Sequence, residues 1–317
     1  MQITSNPAVK TSMYKQSMLL MGNRFELTAV GPGEAWANEK IAAGVQEIKR
    51  IEKLLTTFND SSETNQVNAA AGIQPVRVSE ETFRLIQRSI RISDITQGAF
   101  DISYGSVDKS LWNFDAGMTR LPDEKTARRM VRLINYRNII LDENEKTVFL
   151  KEPGMRIGFG GIGKGYAAEM AKRVMKMAGV ESGIVNASGD LTCWGTQPDS
   201  QPWTIGIVNP NLKEQIFSYM SVTDMAVATS GNYEKFVTIN GKKYSHTINP
   251  RTGLPVSGIK SVTIITPNAE IADAMATPVT IMGIKAGLDM INQVKDIEAI
   301  VIDDNDTIYT SNNLHFT

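Results

Sequence analysis

Gly158-Phe159-Gly160-Gly161-Ile162-Gly163-Lys164-Gly165 lies near the middle of the chain, directly ahead of a segment with helical spacing. Glycine, four residues, then glycine and lysine is the spacing of a nucleotide-binding P-loop. Gly165, however, stands where a P-loop needs a serine or threonine hydroxyl for magnesium, and no apolar strand ending in aspartate supplies a second motif. The P-loop reading is set aside on those two grounds. A glycine turn used only for close packing is one alternative. The preferred reading is backbone that approaches an anion closely, with the first N–H groups of the following helix and its dipole facing a phosphate.

The helix behind this run places Tyr166, Met170, Val174 and Met177 on one face and stops at Gly179. Downstream, the chain is rich in strands: Gly183 to Val185, Trp203 to Val208, Ile216 to Val222, and Lys235 to His246 broken by the hairpin dipeptide Asn240-Gly241. A strand at Lys260 to Thr266, a helix from Ala269 to Met282 containing Pro278, a further short helix and a hairpin around Asp303 to Asp306 complete it. Upstream, Ser17 to Val30 reads as one strand ended by Gly31-Pro32-Gly33, and Ile41, Val45, Ile48, Ile51 and Leu55 form a helical stripe. A polar loop from Thr56 to Glu63 carries Phe58. Ser79 opens a helix that ends near Gly98, with Phe83, Ile86 and Ile90 inward. Another helix follows Pro122, and Asn138 to Leu141 with Thr147 to Leu150 reads as a hairpin. Helices and hairpins alternate without a βαβ rhythm, so the expected class is α+β, with mixed, mainly antiparallel sheets and packed helices. Residues 1–15 read as a flexible N-terminal segment, and 16–317 as a single domain or two intimately packed subdomains.

Composition narrows the function. Lys plus Arg total 33 and Asp plus Glu 34, a net charge of −1, which lacks the basic footprint of a nucleic-acid binder. Cys193 is the only cysteine, so an intrachain disulfide is excluded, and its apolar setting reads as core. With His246 and His315 the only histidines, a bound metal is expected to be a hard cation held through oxygen. No stretch has the length of a transmembrane segment, and no export pattern opens the chain. The sequence as given therefore reads as cytoplasmic, or as exported or periplasmic if a signal segment has been removed.

Three further groups could carry chemistry. In Ala272-Asp273-Ala274-Met275-Ala276-Thr277, Asp273 and Thr277 are four residues apart on one helical face, a carboxylate and a hydroxyl suited to magnesium. A solvated helix face is the plainer alternative, though the apolar neighbours point to burial, where a carboxylate needs a partner. Tyr244-Ser245-His246-Thr247-Ile248-Asn249-Pro250-Arg251-Thr252-Gly253 carries the interior histidine, either a satisfied structural group or a proton carrier. Ser230 and Gly231, within Ala228 to Tyr233, read as a turn near a ligand or as a strand end.

Taken in order, these segments resemble the ApbE family of FAD:protein FMN transferases. The matching stretches are Met21-Gly22, Thr57-Phe58 with Ser62-Glu63, Gly98 to Asp101, Gly160 to Gly165, Asn186 to Asp190, Ala226 to Gly231, Tyr244 to Gly253 and Ala272 to Thr277. The resemblance implies an ApbE-like, T-fold-like architecture and transfer of FMN from FAD to a Thr or Ser hydroxyl of an acceptor flavoprotein subunit, with release of AMP. It also implies that FAD lies among Met21, Phe58, Ala99, Phe100, Asp101, Gly158, Gly160, Lys164, Ser230 and Thr247. Magnesium, or manganese, would be held by Asp273, Thr277 and the carbonyl of Gly161. His246 or Asp273 would serve as the base. Two departures stand out: Gly158 replaces a usual acidic residue, and Ser188 replaces a usual glycine. Hydrolysis of FAD to FMN and AMP, or FAD binding without catalysis, are the competing expectations.

Overall fold

Met21 (φ 51°) and Gly22 (φ 70°) are both in the left-handed region, which makes them the two-residue turn of a tight hairpin. The segment expected as one strand from Ser17 to Val30 is therefore two, β1 (Ser12–Leu20) and β2 (Asn23–Gly31), with Leu20 opposite Asn23. The turn escaped the sequence reading because methionine, rather than asparagine, precedes the glycine. Residues 12–15, expected to be loosely held, belong to β1. The computed structural model describes residues 11–115, 117–208, 216–231 and 236–314; His315, Lys235 and the first ten residues lie outside these.

The chain continues through α1 (Glu34–Leu55), α2 (Glu63–Ala69), β3 (Val76–Arg77), α3 (Glu80–Ile95), α4 (Glu124–Met130), β4 (Ile139–Asp142), β5 (Thr147–Leu150) and α5 (Gly163–Met177). Then follow β6 (Gly183–Ala187), β7 (Asp190–Trp194), β8 (Trp203–Val208), β9 (Ile216–Val222), β10 (Ala226–Gly231), β11 (Phe236–Ile239), β12 (Lys242–Ser245) and β13 (Ile259–Thr266). Helices α6 (Ala269–Met282) and α7 (Ile284–Ile291) precede the closing strands β14 (Glu298–Asp303) and β15 (Ile308–Thr310). The helix starts obey their local chemistry: Ser62, Ser79, Asp123 and Asn268 each accept an N–H of the first turn.

An eight-stranded sheet in the order β1-β2-β6-β7-β10-β13-β14-β15 forms the frame, and each of its ladders is antiparallel. Helices α1, α5 and α6 cover one face, burying Phe25, Leu27, Ile41, Ile48, Val185 and Ile264 in one apolar core. The β8–β9 hairpin covers the other face, where Cys193 packs with Trp203, Val222, Val227 and Ile265. Strand β13 is buried along its whole length because it is sandwiched between these layers. The fold is thus α+β with mainly antiparallel sheets, as expected.

The phase of α5 differs from the sequence reading. Its buried stripe runs through Gly165, Ala168, Ala171 and Met175, whereas Met177 is 80% exposed and Val174 half-buried. Small residues and the fully buried Met175, rather than Met170, Val174 and Met177, form the contact because α5 packs directly against α1 and α6. Gly165 marks the closest point. A Cβ there would lie 2.1 Å from the Ala269 carbonyl oxygen and 2.7 Å from Asp273 Cβ. The position that a P-loop fills with a hydroxyl has no room for any side chain here.

Candidate functional site

Two cavities open on either side of the glycine run, and Gly158 and Gly160 line both. The first, about 420 Å³, is walled by Met21 on the β1–β2 turn, by Leu55 to Phe58 after α1, and by Phe159 and Lys164. Phe58 is 99% exposed, an aromatic ring left at a cavity rim. The second, about 400 Å³, is walled by Ala99, Phe100, Asp101, Tyr104, Gly161, His246, Thr247, Thr277 and Ile281. Both floors are the backbone that leads into the N-terminus of α5, where the helix dipole favours negative charge, although the N–H groups of Ile162 and Gly163 bond to the Phe159 carbonyl and that of Gly165 to Asp273. A Cβ on Gly160 would meet nothing within 4 Å, and its φ is not left-handed. Neither packing nor conformation within the chain therefore requires glycine there, whereas close approach of a ligand to the backbone would.

Beside this ridge lies a charged cluster. Lys164 Nζ is 2.6 Å from Asp190 Oδ2 and 3.5 Å from Asp273 Oδ1. Asp273 Oδ2 accepts the N–H of Gly165 at 2.9 Å, so this carboxylate ties α6 to the first turn of α5. Asp273 and Asp190 are both buried. Burial opposes the charge on Lys164, but Asp273 and Asp190 outweigh it and hold the ammonium well above the ordinary lysine value. Burial, and then the charge of Asp273, push Asp190 up to about 6 against the pull of Lys164. Two buried carboxylates sharing one ammonium leave surplus negative charge at the edge of the cavities.

Asp101 lines the second cavity, but its carboxylate is fully engaged by the protein. Oδ1 accepts from the backbone N–H and hydroxyl of Ser103, and Oδ2 from the N–H of Tyr136. Burial raises its pKa against those hydrogen bonds. The carboxylate thereby ties the turn that follows Phe100 to the backbone of Tyr136. His246 follows β12 directly and is exposed at the cavity, with Phe114 edge-on to its ring at 6.3 Å between centroids. Thr247 is held in line by its N–H to Ser245 Oγ and by its carbonyl accepting from the Val256 N–H.

Of the residues singled out from sequence, Met21, Phe58, Gly158, Gly160 and Lys164 meet in the first cavity. Ala99, Phe100, Asp101, Gly161, His246, Thr247 and Thr277 meet in the second. Asp273 stands behind Lys164 rather than in a cavity wall. Ser230 is placed elsewhere: it lies within β10 opposite Val262, not in a turn, and lines neither cavity. Of the two readings the strand end holds, because Ala226 to Gly231 pairs along its length with β13, and Ala226 and Val227 pair also with β7. Asp190 was not singled out as a site residue, though it ends the Asn186 to Asp190 stretch. Its strand pairing, invisible in the sequence, turns it toward Lys164. Gly158 puts no carboxylate at the junction of the two cavities. Ser188, the other departure, adopts φ 57° in the β6–β7 turn, a conformation that suits glycine better.

The ApbE family model matches residues 21–301. The FAD:protein FMN transferase of Klebsiella pneumoniae (strain 342) is 32% identical over 301 residues, covering 94% of this chain and 92% of that protein. An Escherichia coli (strain K12) protein of the same name is 28% identical, over 73% of this chain and 68% of its own. Among solved structures, the ApbE protein of Thermotoga maritima superposes with TM-score 0.83 at 28% identity, covering 95% of this chain and 97% of that one. The flavin transferase ApbE from Vibrio cholerae has TM-score 0.83 at 24% identity, covering 95% and 98%, a likeness of fold alone. With a matching family model across most of its length and relatives aligned nearly end to end, the chain belongs to the ApbE family.

Proposed function

We propose that the protein transfers the FMN half of FAD to a threonine or serine hydroxyl of an acceptor protein and releases AMP. The observation that carries this reading is the pair of cavities joined over the Gly158–Gly161 backbone at a helix N-terminus. That shape suits a dinucleotide whose two ends occupy separate cavities while its diphosphate crosses the ridge. Family membership supports the same activity.

The residues fit a divalent cation. Surplus carboxylate charge from Asp273 and Asp190 borders the site, and Thr277 and Gly161 add a hydroxyl and a carbonyl, all hard donors. Among the described residues no three His, Cys, Asp or Glu side chains converge as ligands, so such donors must include hydroxyl and backbone oxygens. Asp273, Thr277 and the Gly161 carbonyl would hold magnesium or manganese, which would supply charge neutralisation on the diphosphate. The ammonium of Lys164 and the dipole of α5 contribute to the same neutralisation.

In the reaction, the acceptor oxygen forms a bond to the FMN-side phosphorus. The bond from that phosphorus to the bridging oxygen breaks, and AMP leaves with the electron pair. The proton of the acceptor hydroxyl needs a base. His246 is favoured over Asp273, because it is exposed at the cavity while both carboxylate oxygens of Asp273 face Lys164 or Gly165. Incubation with FAD, magnesium and a candidate acceptor should give AMP and an acceptor heavier by FMN, read by mass spectrometry. Asp273→Ala should abolish AMP release. FMN and AMP formed equally fast without acceptor would favour FAD hydrolysis, and FAD left intact would refute catalysis.

A further inference from the structure

Lys164 is shared unequally by its two carboxylates. Its ammonium lies at 2.6 Å from Asp190 and 3.5 Å from Asp273. Asp190 is itself anchored: it is buried and opens β7, paired opposite Ala187 of β6. Asp273 has committed Oδ2 to the N–H of Gly165, which leaves Oδ1 as its oxygen for a cation. That same oxygen is the one nearest Lys164. An ammonium and a metal ion would compete for it, and a charge-assisted hydrogen bond in a buried site is a strong competitor.

We propose that Asp190 is a positioning residue that draws the Lys164 ammonium off Asp273 and so keeps Asp273 Oδ1 available to the metal. Lys164 then remains at the cavity wall, where its charge serves the diphosphate. The inference rests on the metal reading given above and assigns to Asp190 a task distinct from ligation. Removal of its charge lets Lys164 close on Asp273, and the metal must displace it.

Manganese(II) alone, titrated into the purified full-length protein and followed by electron paramagnetic resonance, provides the test. Asp190→Asn should weaken manganese binding about tenfold or more, the equivalent of one charge-assisted hydrogen bond. A crystal structure of the metal-free variant should show Lys164 Nζ in direct contact with Asp273 Oδ1. In a Lys164→Met background the same Asp190→Asn change should have little effect, because the competitor is gone. Equal weakening in both backgrounds would mean that Asp190 attracts the metal through its charge alone, and would overturn the proposal. So would unchanged manganese affinity in Asp190→Asn, or a Lys164 that stays where it is. Failure of the unaltered protein to bind manganese would instead count against the metal site itself.

Discussion

Gly165→Ala is the substitution whose outcome depends most directly on the packing of the site. In an uncrowded helix it would gain roughly 1 kcal/mol, because alanine is the better helix former. Here the added methyl meets the Ala269 carbonyl oxygen at 2.1 Å and Asp273 Cβ at 2.7 Å, neither of them the end of a flexible side chain. Ordinary contact begins near 3.4 Å, so α5 and α6 must part by about 1.3 Å. Overpacking of this kind costs about 1–3 kcal/mol. The movement also stretches the 2.9 Å hydrogen bond from Gly165 to Asp273, a charge-assisted bond worth about 1.5–3 kcal/mol. The losses exceed the gain, and a net destabilisation of about 2–4 kcal/mol is expected. Urea denaturation followed by the fluorescence of buried Trp194 and Trp203 measures it. Misplacing Asp273 by that distance should also slow AMP release by about a hundredfold. A variant as stable as the parent, with AMP release intact, would refute the close-packing account of Gly165.

Other outcomes follow from the same geometry. Met21→Asn puts the preferred residue into a left-handed hairpin turn while removing a cavity wall, so thermal stability should hold or rise while FAD affinity, measured by fluorescence quenching, falls; loss of both would contradict it. Asp190, pushed up to about 6 when folded against about 3.9 in an unfolded chain, holds a proton between those pH values that the unfolded chain has lost. Its contribution to stability is therefore present at low pH and lost as pH rises from about 4 to about 6. The stability of the parent relative to Asp190→Asn should accordingly be greater near pH 4.5 than near pH 7 in urea titrations, and a constant difference would reject the assignment. Cys193, buried under the β8–β9 hairpin with its thiol raised by burial, should resist a disulfide-exchange reagent until denaturant is added; rapid labelling of the native protein would show that the hairpin does not cover it.

Much of the fold was legible because its signals are local. Asn240-Gly241 turns with both residues left-handed, Ser79 caps α3, and Gly179 ends α5, each for reasons contained in a few neighbouring residues. Where the local signal was weak, the reading slipped. The Met21-Gly22 turn was read through as strand, and Ser230, in a run of small and hydroxyl residues, was left between a turn and a strand end until its pairing with Val262 of β13 decided for the strand.

The sequence by itself determined the chemical inventory: a glycine-rich backbone before a helix, oxygen donors in place of histidine clusters, one lysine at the helix start and one interior histidine. Only the tertiary structure decided which of these meet. The contact of Gly165 with Ala269 and the turning of α5 onto its buried stripe depend on the close approach of α5 to α6, and the capture of Lys164 by Asp190 on the packing of α5 over β7. Such contacts join residues distant along the chain, and a carboxylate's partner is set by which strands pair and how deeply they are buried.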